Sequence, residues 1–249
     1  MIVLFTDYGH QDAYVGQLHA VLAQQAPNEI VIDLLHNVPK YNLRAAAYLL
    51  ASYANEFPPG TIFVCIVDPG VGSSRLPLVI EADGKWFVGP GDDQPTSGLF
   101  TQVIFKAKQS KCFSIEWRPD RLSNTFHGRD IFAPVAAKLA LGHLPELAAI
   151  SVGEKNSEDW PGDLLQIIYI DHFGNSITGI EANRLADDSI LVAGTHSLAF
   201  ARTFSEVRKN DCFWYKNSIG LVEIAANQAC AADIIGIKVG DCIHVQEIN

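Results

Sequence analysis

Ile2-Val-Leu-Phe5 begins the stretch of sequence that decides the fold. The loop Thr6-Asp-Tyr-Gly9 follows it, and apolar residues at helical spacing come next. The short apolar run predicts a buried strand, and the spacing after it predicts a helix. The helical positions are Tyr14, Val15, Leu18, Val21 and Leu22. Asp12 precedes them and is a predicted N-cap. The chain therefore begins an α/β pattern of strand and helix.

The same alternation continues to about residue 140. Further segments predict a strand at Glu29–Leu35, a helix at Leu43–Ala54 and a strand at Thr61–Val67. Repeated strand–helix–strand units predict a mostly parallel, doubly wound sheet. The turn signal Asp83-Gly84 predicts a hairpin between two more strands, and the segment Asp130 to Leu141 predicts the last long helix.

Beyond the polar stretch Gly153–Gly162 the pattern changes to short β-type runs separated by Gly, Asn and Asp turns. The predicted strands are Leu164–Ile170, Ser189–Val192, Cys212–Tyr215, Leu221–Ile224 and Cys242–Val245. Such spacing is typical of an all-β, barrel-like domain. We therefore predict two domains, an α/β domain over residues 1–155 and a β domain over residues 162–249.

Composition limits the class of protein. The 249 residues carry 18 Lys and Arg against 28 Asp and Glu, a formal net charge of −10, which argues against binding to nucleic acid. No apolar run approaches the roughly 18 residues of a membrane helix, and no leader is recognisable. Five scattered cysteines without a C-x-x-C pair indicate neither a disulfide framework nor a zinc site. We predict a cytoplasmic protein.

Polar side chains follow the first and third predicted strands, where ligands bind in open α/β sheets. Asp7 is a candidate acceptor for ligand hydroxyls, with Tyr8 beside it, and Asp68 is a candidate acid or base. Both segments are also ordinary turn sequences. His127 precedes the last helix with Arg129 and Asp130, where an imidazole could hold a water molecule, although a structural histidine is an equal alternative.

A metal site is the alternative use of the acidic and histidine side chains. The candidates are Asp7, His10, Asp12, His36, Asp68 and His127. Their spacing matches no known ligand signature, so we predict no metal.

Two segments of the second domain could bind a ligand. Asp171-His-Phe173-Gly-Asn175 offers an acid, an aromatic ring and an amide that could stack on a purine and bind its edge, or form a tight turn. In the other segment Ser218 and Glu223 are polar residues in an apolar surrounding, and an isolated buried Glu needs a partner.

Six segments together resemble one known family, the S-adenosylmethionine hydroxide adenosyltransferases of the chlorinase/fluorinase superfamily. The segments, in order, are Thr6-Asp-Tyr-Gly9 with Asp12-Ala-Tyr-Val-Gly16, Val67-Asp-Pro-Gly-Val-Gly-Ser73, Phe87-Val-Gly-Pro90, Thr125-Phe-His-Gly-Arg-Asp130, Asp171-His-Phe-Gly-Asn175 and Asn217-Ser-Ile-Gly220. The resemblance extends from Asp7 to about Ala232.

The resemblance implies an α/β domain, a β-barrel domain and a homotrimer with sites between subunits. It also implies hydrolysis of S-adenosylmethionine to adenosine and methionine, in which Asp68, Arg75 and His127 act on water that attacks ribose C5′. No cofactor is implied, since S-adenosylmethionine is the substrate. The resemblance assigns substrate binding to Asp7, Tyr8, Asp12, Asp171, Phe173, Asn175, Ser218, Glu223 and Ala231.

Two other functions fit the same residues. A sensor would bind adenosine or S-adenosylmethionine with little turnover. A halide-using adenosyltransferase is disfavoured because that branch replaces the Asp68 carboxylate with tyrosine and has threonine at the Val71 position. Departures from the family pattern fall at residues 91–98, at Thr178-Gly179 and at Asn227–Ala231.

Overall fold

The computed structural model describes residues 1–91, 95–152 and 158–246. The chain divides into two compact units, Met1–Trp160 and Pro161–Asn249. The polar stretch predicted to join the domains lies partly outside the described residues.

The N-terminal unit alternates strands and helices in its first half. Its elements are β1 Ile2–Thr6, α1 Tyr14–Gln25, β2 Val31–Leu35, α2 Leu43–Ala54, β3 Ile62–Ile66, β4 Pro77–Ala82, β5 Lys85–Pro90, α3 Thr101–Lys106, β6 Ser110–Ile115, a π-helical turn Gly128–Phe132, α4 Ala133–Ala140 and β7 Leu147–Ile150. The helix α2 has the predicted bounds, and the Asn42 side chain caps it by accepting the Ala45 N–H.

The seven strands of this unit form one sheet in the order β2-β1-β3-β5-β4-β6-β7. The pairs β2-β1, β1-β3 and β3-β5 are parallel, and the other three pairs are antiparallel. The sheet is therefore mixed, and the prediction of a mostly parallel sheet is wrong in this respect. The antiparallel half exists because a hairpin reverses the chain between β4 and β5 and because β6 and β7 extend that edge.

The predicted hairpin at Asp83-Gly84 is confirmed. Both residues have positive φ, 46° for Asp83 and 77° for Gly84, as a two-residue turn that matches strand twist requires. The Asp83 carboxylate also accepts the backbone N–H groups of Lys108 and Gln109, each at 3.0 Å. The turn is thereby tied to the start of β6.

Side chains of β1 alternate between the two faces of the sheet. Ile2 and Leu4 are fully buried in a cluster with Leu18 and Leu22 of α1 and with residues of α4. Phe63 of β3 stacks on Phe87 of β5 with ring centroids 4.9 Å apart, on the opposite face. The sheet thus has an apolar core on each side, which leaves its polar loops at the strand ends.

The last helix begins earlier and less regularly than predicted. The segment Gly128–Phe132 is a π-helical turn, and regular α-helix runs only over Ala133–Ala140, instead of Asp130 to Leu141. Among the described residues, no helix has the length and apolar character needed to cross a membrane.

The C-terminal unit consists mainly of antiparallel strands. Its elements are β8 Leu164–Ile170, β9 Ser176–Glu181, β10 Ile190–Ala193, β11 His196–Leu198, β12 Cys212–Lys216, β13 Leu221–Ala226, α5 Ala231–Ile235 and β14 Ile243–Gln246, with single 3-10 turns at Ala182–Arg184 and Phe204–Glu206. The sheets are β12-β13-β9-β8 and β11-β10-β14. Isolated bridges, such as Gln166 to Cys242, connect them. The short helix α5 was not predicted, and closure into a barrel stays a prediction.

Candidate active site

Asp7 and Asp68 lie beyond the carboxyl ends of adjacent parallel strands. Thr6 of β1 is opposite Ile66 of β3, and the Asp7 N–H donates to the Ile66 carbonyl at 3.1 Å. The strand order changes direction at this point, because β2 lies on one side of β1 and β3 on the other. Such a switch point forms a crevice where open α/β sheets bind ligands. The polar loops that follow the first and third predicted strands therefore open at one edge of the sheet.

Arg75 holds the Asp68 carboxylate with two parallel hydrogen bonds. Its Nε donates to Oδ1 at 2.7 Å, and its Nη2 donates to Oδ2. The exposed fractions of the two side chains are only 8% and 9%, so water screens this ion pair weakly. The guanidinium also lies over the Phe132 ring, 5.6 Å from its centroid. The carboxylate is therefore held in one orientation.

His127 completes this cluster from the residue before the π-helical turn. Nη2 of Arg75 lies 3.2 Å from Nδ1 of His127. Since a guanidinium can only donate, Nδ1 must be the acceptor, and in the neutral ring Nε2 carries the hydrogen. Burial, and next the Arg75 charge, lowers the pKa of His127 below its usual value. The imidazole is therefore neutral at neutral pH.

Asp68 and His127 border a cavity of about 320 Å³ in the N-terminal unit. The lining residues are Asp7, Tyr8, Tyr14, Lys40, Tyr41, Asp68, Val71, Thr125, His127 and Gly128. Its volume is within the range of small-molecule sites. The cavity brings together Asp7, Tyr8, Asp68 and His127, four of the candidates chosen from the sequence.

Tyr8 is fixed in the wall of this cavity by aromatic contacts. Its ring lies 5.1 Å from that of Tyr14 and 6.0 Å from that of Phe126, measured between centroids. A Cβ on Gly128 would lie 2.5 Å from the Tyr8 hydroxyl and 2.9 Å from Cδ1 of Ile66. Gly128 is therefore required for space, since Tyr8 occupies the position of a side chain.

Asp7 is partly desolvated, and burial raises the pKa of its carboxyl group. The backbone N–H of Tyr41 lies 3.4 Å from Oδ2 and offers it a long hydrogen bond. Tyr41 and Lys40 follow β2, as Asp7 follows β1. Neither residue was among the candidates chosen from the sequence, although the same reasoning from parallel strand ends applies to them.

Asp12 does not cap α1, so that prediction is wrong. The helix begins at Tyr14, one residue later than a cap at Asp12 requires, and its N-cap Ala13 makes no side-chain hydrogen bond. Asp12 is exposed and is absent from the cavity lining. Its role in substrate binding stays a prediction.

The C-terminal unit contains the second group of candidates. The Asp171 carboxylate accepts the backbone N–H groups of Phe173 and Asn175 at Oδ1 and the Asn175 amide at Oδ2, all within 3.0 Å. These bonds fold the loop into a turn, with Gly174 at φ 83°. The turn buries Asn175 to 7% exposure and leaves Phe173 73% exposed. An aromatic ring so exposed on a rigid turn is available to a ligand.

Glu223 has the partners that its burial requires. Tyr215, opposite it on β12, donates its hydroxyl to Oε1 at 2.5 Å, and the Asn217 amide donates to Oε2 at 2.9 Å. Burial nevertheless raises the pKa of Glu223. The Asn217 oxygen also accepts the N–H groups of Ile219 and Leu221, which forms the turn that exposes Ser218. Tyr215 was not among the candidates chosen from the sequence, because only the strand register identifies it.

Ala231 is fully buried at the start of α5, next to the Asp171 loop. The Ala232 N–H donates to the Gly174 carbonyl at 3.0 Å, and Cys230 Sγ lies 2.1 Å from where a Gly174 Cβ would be. Gln228 lies in the segment Asn227–Ala231, which departs from the family pattern, and adopts φ 55°. This segment therefore contains a residue in the left-handed region.

The alternative metal site is not assembled. Among residues 1–91, 95–152 and 158–246, no group of three His, Cys, Asp or Glu side chains is placed to hold a metal ion. His36 instead bonds Thr6 and Asp33.

Fold and site together define a class, a two-domain α/β and β protein with an Asp–Arg–His cluster beside a cavity at the sheet switch point. Residues 2–149 match the SAM hydroxide adenosyltransferase N-terminal domain, and residues 165–244 match the C-terminal domain of the same family. The chain belongs to the SAM hydroxide adenosyltransferase family.

Three relatives illustrate this membership. The (R)-S-adenosyl-L-methionine hydrolase of Thermus thermophilus is 35% identical over 257 residues, which cover 96% of each chain. A crystal structure of an uncharacterized conserved protein from Thermotoga maritima matches with a TM-score of 0.83 at 30% identity, covering 99% of this chain and 100% of that one. The fluorinase of Actinopolyspora mzabensis is more distant, with 24% identity over 294 residues that cover 98% of this chain and 96% of the fluorinase.

Proposed function

We propose that this protein hydrolyses S-adenosyl-L-methionine to adenosine and L-methionine. One observation carries the proposal, namely the Asp68 carboxylate held by Arg75 next to His127 at the edge of the 320 Å³ cavity. Family membership identifies the adenosyl substrate.

In the proposed reaction a water oxygen forms a bond to ribose C5′ while the C5′–S bond breaks. The sulfonium takes the bonding electron pair and leaves as neutral methionine, so no acid is needed at the leaving group. Water loses one proton, which Asp68 accepts before it passes to solvent. The protein therefore has to align and partly desolvate one water molecule.

Each side chain of the cluster has a defined task in this proposal. The two Arg75 bonds leave further lone pairs on the Asp68 oxygens, and one of these accepts the water hydrogen. His127 contributes its Nε2–H, which donates to the water oxygen and fixes its position. Arg75 supplies positive charge where hydroxide character develops. His127 is thus a donor in this arrangement, because Arg75 occupies Nδ1.

The binding roles of the other residues are part of the proposal. Asp7 accepts the ribose hydroxyls, Tyr8 lines the sugar site and Asn175 binds the adenine edge, while Phe173 stacks on the ring. Asp171 binds the methionine ammonium through lone pairs that its turn leaves available, and Ser218 binds the carboxylate. Asp12, Glu223 and Ala231 are weaker assignments.

We also propose a homotrimer with sites between subunits, a barrel-like C-terminal domain, and a cytoplasmic location without cofactor or metal. The resemblance of the six sequence segments to the family supports the trimer. The five cysteines are free thiols, which supports a reducing compartment. Light scattering on the purified protein tests the trimer.

A labelled-water experiment tests the reaction. Purified protein is incubated with S-adenosylmethionine in chloride-free H₂¹⁸O. The products are separated by chromatography, and their masses are measured by mass spectrometry. We expect the label in the 5′-hydroxyl of adenosine and none in methionine. Asp68→Asn should abolish turnover, whereas Asp163→Asn, which alters another Arg-bonded carboxylate, should keep it.

The same experiment separates the alternatives. Intact ligand bound without turnover would identify a sensor, and a 5′-halo-adenosine formed only with added halide would identify a halogenase. The Asp68 carboxylate disfavours halide by charge repulsion. Products without label in adenosine would exclude attack of water at C5′.

A further inference from the structure

His36 is a fully buried histidine with both ring nitrogens in hydrogen bonds. Nε2 lies 3.0 Å from Oδ1 of Asp33, and Nδ1 lies 2.8 Å from the Thr6 hydroxyl. The same Asp33 oxygen lies 2.8 Å from Nε2 of His19. Burial lowers the pKa of His36, so the ring is neutral.

The direction of these hydrogen bonds follows from the carboxylate. Because ionised Asp33 can only accept, Nε2 of His36 carries the hydrogen and Nδ1 is the acceptor. The Thr6 hydroxyl therefore donates to Nδ1. Its oxygen lies 3.3 Å from the backbone nitrogen of Tyr8, so it also accepts the Tyr8 N–H. One continuous chain runs from the Tyr8 backbone through Thr6 and His36 to Asp33.

Backbone bonds strengthen the same connection. The Gly9 N–H donates to the His36 carbonyl at 2.7 Å, and the Val38 N–H donates to the Thr6 carbonyl at 3.2 Å. Gly9 has φ 72°. The loop after β1 is thus fixed, on both sides of Asp7 and Tyr8, to the segment that follows β2. Both of these residues line the large cavity.

We propose that Thr6 and His36 are positioning residues for nucleoside binding, which orient the Asp7 carboxylate and the Tyr8 ring through the hydrogen-bond chain from Asp33 to the Tyr8 N–H. This inference rests on the proposed function, in which Asp7 binds the ribose hydroxyls. Thr6 and His36 do not touch the substrate. Their contribution is the fixed backbone of residues 6–9.

A matched pair of substitutions at Thr6 separates this role from packing. Thr6→Val keeps the shape and removes the hydroxyl, whereas Thr6→Ser keeps the hydroxyl and removes a methyl group. Both variants are checked by thermal unfolding. Calorimetry then measures the Kd of 2′,3′-dideoxyadenosine and the Kd of adenosine, and the ratio of the first to the second reports the contribution of the ribose hydroxyls.

We expect Thr6→Val to reduce this ratio roughly tenfold, because a buried donor and acceptor both lose their partner, and Thr6→Ser to retain it. Retention by valine with loss by serine would overturn the proposal, since packing would then be the cause. Equal ratios in both variants would also overturn it.

Two further variants keep the test decisive. If Thr6→Val does not fold, the partly exposed Asp33 is changed instead, and Asp33→Leu should lower the ratio while Asp33→Asn, which keeps an acceptor, should not. An unchanged ratio in Asp33→Leu would overturn the proposal. Asp7→Asn in the otherwise wild-type chain tests the ribose assignment itself, and labelled-water hydrolysis tests the activity. These two measurements distinguish failure of the proposed function from failure of the positioning role of Thr6 and His36.

Discussion

Nη2 of Arg75 lies 3.2 Å from Nδ1 of His127 while the same guanidinium holds Asp68. This contact assigns the imidazole hydrogen to Nε2, since guanidinium nitrogens do not accept hydrogen bonds. It also sets the protonation state that the site needs. A proton on Nδ1 would face a donor and a positive charge.

Acidification should therefore inactivate the enzyme through His127. Burial and Arg75 lower the pKa of His127 from its usual 6.5, so kcat should be constant near neutral pH and should fall only below about 6.5 as Nδ1 is protonated. Initial rates of adenosine formation across this range measure the effect.

The control for this pH effect is His127→Asn. An asparagine oxygen can accept from Arg75, but the variant lacks Nε2–H, so kcat should drop about 100-fold. The part of the acid limb that belongs to His127 should then disappear. An unchanged limb in the variant would assign the titration to another group.

Replacement of Arg75 should separate stability from catalysis. Arg75→Ala leaves the Asp68 carboxylate buried without a partner, which should cost about 3 to 5 kcal/mol in the free energy of unfolding. The double variant Arg75→Leu/Asp68→Asn should recover most of this loss, as measured by denaturant titration, yet remain inactive. Recovery of hydrolysis in the double variant would contradict the proposed roles.

Gly128→Ala should disturb the cavity by steric overlap with Tyr8. The new Cβ would lie 2.5 Å from the Tyr8 hydroxyl, which must move, and overpacking of this kind costs about 1 to 3 kcal/mol. We expect lower stability and a higher KM for S-adenosylmethionine. Tyr8→Phe removes the overlapping oxygen, so the double variant should be more stable than Gly128→Ala. If it is not, Ile66 rather than Tyr8 limits the space.

The sequence indicated which loops of the N-terminal unit lie together because its signals there are local. Asp7 and Asp68 each follow an apolar run, and adjacent parallel strands bring their loops together. The neighbours that hold these residues were not predictable in the same way. Thr6 and His36 are 30 residues apart, and only the register of β1 and β2 brings them into contact.

The missed strand β9 shows the limit of pattern analysis. Ser176 and Thr178 are fully buried although they are polar, so the segment lacks the apolar alternation that predicts a half-buried strand. A Cβ on Gly179 would lie 2.6 Å from Cβ of Leu164, so the close approach of β8 requires glycine there. The same close approach of Leu164 explains why the chain departs from the family pattern at Thr178-Gly179. Tertiary contacts, which spacing does not reveal, decide this strand.

Phe173→Ala should weaken ligand binding without affecting stability. The ring is 73% exposed, so its removal should change the free energy of unfolding by less than about 0.5 kcal/mol. Loss of stacking should raise the Kd of adenosine by a factor equivalent to about 1 to 3 kcal/mol. Leu144→Ala, at a similarly exposed apolar residue, is the matched control and should change neither quantity. An unaltered Kd in Phe173→Ala would exclude stacking on this ring.

Stability should decrease on mild acidification because of His36. The pKa of His36 in the folded protein is below the usual 6.5. Burial and the nearby His10 and His19 lower this pKa by more than Asp33 raises it. Below about pH 6.5 the unfolded chain binds a proton that the folded protein does not, so the free energy of unfolding should fall by at most about 1.4 kcal/mol per pH unit for this group.

Denaturant titrations between about pH 7.5 and pH 6 measure this slope, in a range above the titration of ordinary carboxyl groups. His127, whose pKa is also lowered, contributes in the same direction, so the slope is compared between variants. His36→Asn should be less stable at every pH but should show a shallower decrease than the wild type, because the buried neutral imidazole is gone. His127→Asn removes only the other contribution. Parallel slopes for His36→Asn and the wild type would show that His36 is protonated equally in the folded and unfolded states.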